Sequence, residues 1–261
     1  MVISSVAFMK KTVEGRSRGV PMSMVNVTLP DGTVNEYAAG VTAGEVLVDA
    51  LGKKHGCLAA RINDVGYDFS TVLTHDCNIE GIRAESDEGI HILRHSAAHL
   101  LAQAVMELYP DAKPTIGPAI DRGFYYDFAM EPIGEGDLKP IEKKMHEIAR
   151  RNLKVERIEL DDQELREHFT SNPYKIEIIE DKLEAGDGST IYKQGEWYDL
   201  CLGPHVPSTA KLMFSRLTSV SSAYWRGDQS REQLVRIYGI VEPTKELSLI
   251  HISEPTRLVS I

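Results

Sequence analysis

Four side chains with metal-binding or nucleophilic chemistry stand in two short pairs: His95 with His99, as H-x-x-x-H, and Cys201 with His205, as C-x-x-x-H. Residues four apart on a helix share one face, so the first two imidazoles can hold one ion or bracket one water. Three imidazoles and a thiolate form a complete donor set for tetrahedral zinc. A thiol beside an imidazole is also the pattern of a nucleophile with its base, although sequence forces only His205 next to Cys201. Either pair taken singly reads equally well as two half-buried polar positions. The four together predict a site.

The elements that must position these residues are readable from hydrophobic spacing. GIHILRHSAAHLLAQAVMELYP puts Ile92, Leu93, Ala97, Leu100, Leu101, Ala104, Val105 and Leu108 on a broad apolar stripe, with Ser86 or Asp87 as N-cap and Pro110 as the stop. The second pair lies in YDLCLGPH, where Gly203-Pro204 excludes a helix and predicts a strand end and loop. Further helices are predicted over 138–153 with Asp137 as cap, over 162–169, and over 174–184 with Gly186 closing it. STIYKQGEWYDL, KLMFSRLTSVSSAYW and QLVRIYGIV read as strands.

Upstream, MVNVTLPDG alternates and turns at Pro30-Asp31-Gly32. AGEVLVDALGKKHG has helical spacing with Gly56 as its C-cap, and LAARIND opens a run of short strands to Gly81-Ile82. Strand, turn, strand, helix, strands is a β-grasp order. The expected class is α+β: a small β-grasp domain over 22–85, then a larger α+β domain with an antiparallel sheet over 86–240.

With 42% hydrophobic and 26% charged residues in 261, the chain can bury a core, which excludes disorder as its main character. No apolar run approaches the roughly 18 residues of a membrane helix. Cys57, Cys77 and Cys201 are irregularly spaced and odd in number, so no disulfide framework is expected, and a reducing cytoplasm fits. The net charge of −10 argues against bulk phosphate binding. A nucleic acid would have to meet local patches. Candidates are Lys139, Lys143, Lys144, Arg150, Arg151 and Lys154 around the second long helix, and Tyr224-Trp225-Arg226-Gly227-Asp228. The bland alternatives are a solvated helix face and a core tryptophan.

HSAAHLLAQAV, IGPAIDRGFYYDF, YDLCLGPHVPST, and AYWRGD with RIYG, in this order, resemble the editing domain of threonyl-tRNA synthetases. The preceding VTLPDG, helix and AARIND resemble the TGS domain of that family, and the likeness covers about residues 24–240. The resemblance implies hydrolysis of seryl-tRNA(Thr) to serine and tRNA. A missing methyl is worth only about 1–3 kcal/mol of discrimination, so a second pocket is needed to reject serine. It further implies that His95 positions or deprotonates the attacking water, that His99 shapes the site, and that Lys175 holds the water and the oxyanion. By the same likeness Asp199 grips the substrate ammonium, Cys201 and His205 line the pocket, and Tyr126 contacts substrate. Related alanyl-tRNA editing domains use such a constellation for zinc, with His95, His99, Cys201 and His205 as the matching ligands here; the threonyl likeness implies no required metal.

No class II synthetic core with its ATP-binding motifs follows Tyr238-Gly239, so ATP would serve only that absent part, and homodimer contacts are expected there too. Residues 1–21 read as a disordered or non-native extension. Residues 241–261 read as a truncated linker plus a tail in which LSLIHISEPTR resembles a translated sequencing adapter. The competing expectations are a freestanding trans-editing factor and a non-catalytic tRNA-binding or regulatory module.

Overall fold

The computed structural model describes residues 23–186 and 190–244. The sequence expectations for 1–21 and for the tail from 247 onward lie outside these residues.

The first unit starts with β1 (Met24–Thr28) and β2 (Val34–Ala38), then α1 (Ala43–Leu51), β3 (Cys57–Ile62), β4 (Val65–Tyr67) and β5 (Cys77–Arg83). Its five strands lie in the order β2-β1-β5-β3-β4, with β1 and β5 parallel and the other pairs antiparallel. That is the β-grasp arrangement, built as the alternation requires: Val25 and Val27 face the core while Met24 and Asn26 are exposed. Helix α1 begins in a capping box, with Thr42 Oγ1 accepting from the Glu45 amide and Glu45 accepting from the Thr42 amide. It ends at Leu51, where the Gly52 amide bonds to the Val48 carbonyl (2.9 Å), one turn before the Gly56 expected from sequence. Lys53 and Lys54 have nothing to bury, so another turn would gain no core contact.

The second part opens with α2 (Asp87–Leu108), capped by Ser86 rather than Asp87; the Ser86 hydroxyl accepts from the Gly89 amide (3.1 Å). The expected stripe is too narrow a description. All residues from Ser96 to Val105 are buried, because α2 is enclosed by the first sheet, by α3 (Glu135–Arg150) and by a second sheet. Ala97, Ala98, Ala102 and Ala104 supply the short side chains that let neighbours approach from several sides. Before α3 come β6 (Lys113–Pro114), β7 (Ala119–Ile120) and β8 (Gly123–Ala129). Helix α3 starts earlier than expected. Gly134 is its N-cap, and Asp137 sits at the third position, accepting from the Gly134 amide (2.9 Å). A carboxylate in the first turn does the same electrostatic work as a cap, which explains the offset.

Then follow β9 (Val155–Glu159), α4 (Asp162–Phe169), α5 (Pro173–Ala185), β10 (Thr190–Gln194), β11 (Trp197–Leu200), β12 (Ser215–Tyr224) and β13 (Gln233–Val241). The segment expected as one strand over STIYKQGEWYDL is a hairpin turning at Gly195, and it joins β9 in the three-stranded order β11-β10-β9. Strands β12-β13-β8-β6 form the large antiparallel sheet, with β7 on β8. The main apolar cluster runs from Leu58, Ala59 and Ile82 of the first unit through α2 into Phe124, Phe128 and Ile237 of this sheet. Among the described residues no helix is long and apolar enough to cross a membrane.

Candidate active site

The buried helix α2, the end of β11, strand β8 and the start of α5 converge on one point. Helix α2 presents His95 and His99 one turn apart, with ring centroids separated by 5.4 Å. The loop after β11 supplies Cys201, whose Sγ lies 3.2 Å from Nε2 of His95 and 3.2 Å from Nε2 of His205. Ser96 Oγ accepts the Val206 amide (3.1 Å) and lies 3.0 Å from Nδ1 of His205, which fixes that ring. One donor atom from each of His95, His99, Cys201 and His205 falls within 4.8 Å of all the others. Three imidazoles and a sulfur at that spacing fit a tetrahedral zinc ion. The buried Nδ1 of His99 has no hydrogen-bond partner, so a bound polar atom would compensate its desolvation.

Beside this cluster lies a charged network. Lys175 and Asp199 have side chains only 3% and 2% exposed, and Nζ of the lysine stands 2.6 Å from the carboxylate. Lys175 also donates to the Tyr126 hydroxyl (3.1 Å), and that hydroxyl donates to Asp199 in turn. Asp199 further accepts the Leu200 amide (2.8 Å), and its carboxylate lies 3.9 Å from Nε2 of His99. An ammonium has three donors, and these contacts take two of them. Tyr126 reaches the network from a strand whose neighbours Phe124 and Phe128 are pure core, and Gly117 makes room for it. A Cβ at Gly117 would stand 2.1 Å from the Tyr126 ring.

Burial sets the protonation states. His95 is pulled down to about 4 by burial and by His91, and His99 to about 3 by burial, so both rings are neutral at pH 7. His205 is pushed the same way by burial and its two imidazole neighbours. Burial raises Cys201 to about 12, leaving a thiol and not a thiolate, which weakens the nucleophile reading. Of the three histidines, His95 is half-buried, whereas His99 and His205 are buried.

The seven residues singled out from sequence, His95, His99, Tyr126, Lys175, Asp199, Cys201 and His205, thus lie in one continuous set of contacts. Asp199 accepts from both Lys175 and Tyr126, so a substrate ammonium would meet a carboxylate that these two groups already contact. Sequence reasoning missed Ser96, a common helix residue with no distinguishing signal, Tyr192 of β10, and Asp68, which meets Tyr192 and the loop from far along the chain. Several of the basic residues named as nucleic-acid candidates are ion-paired within the chain. Lys144 pairs with Glu147, Arg151 with Glu107 and Lys154 with Glu156. Arg226 and Arg231 both pair with Glu177, and Trp225 is core.

Residues 189–238, which include the Lys-Asp network's Asp199 and the Cys201–His205 loop, match the family described as the threonyl and alanyl tRNA synthetase second additional domain. Relatives along most of the chain are threonine--tRNA ligases. That of Pelodictyon phaeoclathratiforme is 42% identical over 89% of this chain, and that of Chlorobaculum tepidum 44% over 88%. The ligase of Lactococcus lactis is 44% identical over 85%. The chain spans about a third of these relatives, 36%, 36% and 35% of their lengths. Along that stretch the chain is similar to threonine--tRNA ligases, and within it residues 189–238 are similar to their second additional domain.

Proposed function

We propose that this chain carries a proofreading centre that hydrolyses the ester joining serine to the 3′ ribose of tRNA(Thr). The observation that carries this reading is the buried Lys175–Asp199–Tyr126 network set directly against the His95–His99–Cys201–His205 cluster. In an ester hydrolysis, water oxygen attacks the carbonyl carbon, the bond to the ribose oxygen breaks, and that oxygen takes a proton. His95, neutral and the least buried of the three histidines, accepts a hydrogen bond from the water; its low basicity favours aligning the water over stripping it completely. The remaining donor of Lys175 faces the developing oxyanion in a dry site, where fixed charge is most effective. Asp199 holds the lysine and Tyr126 in register and shares its charge with the substrate ammonium.

This reading requires no metal. Zinc, when bound, would be held by His95, His99, Cys201 and His205 and would polarise a carbonyl or acidify a water. The N-terminal unit is taken as a TGS domain, tRNA as the partner, and the cytoplasm as the compartment. The test is deacylation of seryl-tRNA(Thr) beside threonyl-tRNA(Thr), with His95→Ala in parallel and zinc content measured on the purified protein. Selective loss of serine that falls by about 10²–10⁴-fold in His95→Ala supports the reading. Equal loss of both esters would remove the size-selective pocket, and no loss above buffer would leave a recognition module. Stoichiometric zinc with chelator-sensitive turnover would replace the metal-free mechanism.

A further inference from the structure

The loop that carries Cys201 and His205 is fastened to a side chain from outside the family-matched segment. Asp68 follows β4 in the first unit, yet it is 9% exposed and lies against β10 and the 201–205 loop. Its Oδ1 accepts the His205 amide (2.8 Å) and its Oδ2 accepts the Tyr192 hydroxyl (2.5 Å). Tyr192, 1% exposed, packs its ring 4.3 Å from the His205 ring, and its hydroxyl occupies the space that a Cβ on Gly203 would need, 1.9 Å away. Gly203 also has φ +74°, a conformation in which side chains are strained, so loop and tyrosine are built around each other. One carboxylate therefore holds both the backbone and the ring neighbour of His205.

The unit bearing Asp68 is anchored nearby. Arg61 of β3 pairs with Glu88 in the first turn of α2 (2.5 Å), and Gly66 lies so close to Glu88 that a Cβ would sit 2.6 Å from its Oε1. Leu58, Ala59 and Ile82 share the buried cluster with α2 itself. The carboxylate is thus delivered by a packed joint, and the cost of burying it is offset by its two donors together with the nearby Arg157 charge.

We infer that Asp68 is a positioning residue of the hydrolytic site, through which the N-terminal β-grasp unit sets the placement of His205 and the Cys201 loop. This rests on the proposed hydrolysis for its kinetic consequence, while the placement itself is independent of it. A buried carboxylate left without partners is costly, and so is a buried amide left without an acceptor. Asp68→Ala strands the His205 amide and the Tyr192 hydroxyl. Asp68→Asn keeps an oxygen for the amide and offers its NH2 to the phenol oxygen. Tyr192→Phe removes one of the two contacts.

The experiment uses the whole 261-residue chain. Histidine ring signals are followed by NMR, assigned with His205→Gln, alongside single-turnover deacylation of seryl-tRNA(Thr) at several enzyme concentrations and thermal melting. Glu36→Ala, on the exposed far strand of the same unit, is the control. The expected result is a shifted His205 ring signal and a single-turnover rate reduced about 10–100-fold in Asp68→Ala, with unchanged half-saturation. A smaller loss is expected in Tyr192→Phe, near-recovery in Asp68→Asn, and no change in Glu36→Ala. An unmoved His205 signal in a folded Asp68→Ala protein overturns the inference, as does a rate loss that only tracks the unfolded fraction. Should Asp68→Ala not fold, the same comparison between Tyr192→Phe and Asp68→Asn decides. Absence of deacylation in the unmodified protein would sink the proposed function, while the ring signals would still accept or reject the placement.

Discussion

Helix α5 carries two ion-pair systems that use the same chemistry in opposite surroundings. At its first turn Lys175 meets Asp199 with almost no solvent access. On another face Glu177 accepts from Arg231 through two bonds, pairs with Arg226 (2.9 Å) and accepts the indole of Trp225 (3.0 Å), with side chains 31–40% exposed. The outer system lies where water already solvates the charges, so it fastens the helix to the β12–β13 turn at little cost and for little gain. The inner one sets a cation at a helix N-terminus, against the macrodipole, and must offset two desolvated charges. A fold that needed only an anchored helix would stop at the outer clamp. The inner pair points to a task besides stability.

Breaking the inner pair gives the largest effect. Lys175→Ala leaves Asp199 buried and unpaired, and about 3–5 kcal/mol of stability is expected to be lost in urea unfolding, together with deacylation. Replacing both charges, as Lys175→Met with Asp199→Leu, removes the unpaired charge but strands the buried Tyr126 hydroxyl, so part of that stability is expected to return and none of the activity. Activity in the double variant would show that the pair is only a brace. Next in size is Glu177→Ala, which leaves the buried indole N–H of Trp225 without its acceptor. A loss of about 1–3 kcal/mol is expected by the same unfolding measurement, with deacylation retained.

The pH dependence sharpens the contrast. Arg231 and then its other donors hold Glu177 down at about 2, below the ordinary 4.5 of a glutamate. The folded state therefore binds fewer protons than the unfolded one in that interval. The stability contributed is present above about 4.5 and lost as pH falls toward 2. Guanidinium midpoints measured from pH 5 to 2 should drop more steeply in the natural protein than in Glu177→Gln; parallel curves would show that the clamp contributes nothing. The smallest effect belongs to Arg226→Ala, about 0.2–1 kcal/mol in the same assay, since that guanidinium is 40% exposed.

Much of this was legible in the sequence, for identifiable reasons. Helix α2 announces itself because its apolar residues recur at helical spacing, and both chemical pairs are local, each within one turn or one loop. The β-grasp order follows from alternation and turn residues. Lys175 was legible only through the family likeness, since by itself a lysine in the first turn of a helix reads as a solvated surface residue. What stayed hidden is long-range. Asp68 meets Tyr192 and His205 across more than a hundred residues, and no spacing rule links such positions. The helix starts moved because a cap can be a backbone glycine assisted from within, as at Gly134 and Asp137. The occupied carboxylate of Asp199 is likewise a property of three elements meeting.

Leu58, Ala59 and Ile82 of the first sheet are counted in the same dry cluster as Ile92, Leu100 and Ile237. A chain cut after residue 85 would expose that seam, so neither half keeps a closed surface of its own. Heat or denaturant should accordingly carry the two halves across one shared transition, with no temperature at which the β-grasp unit has come apart while the rest stays folded.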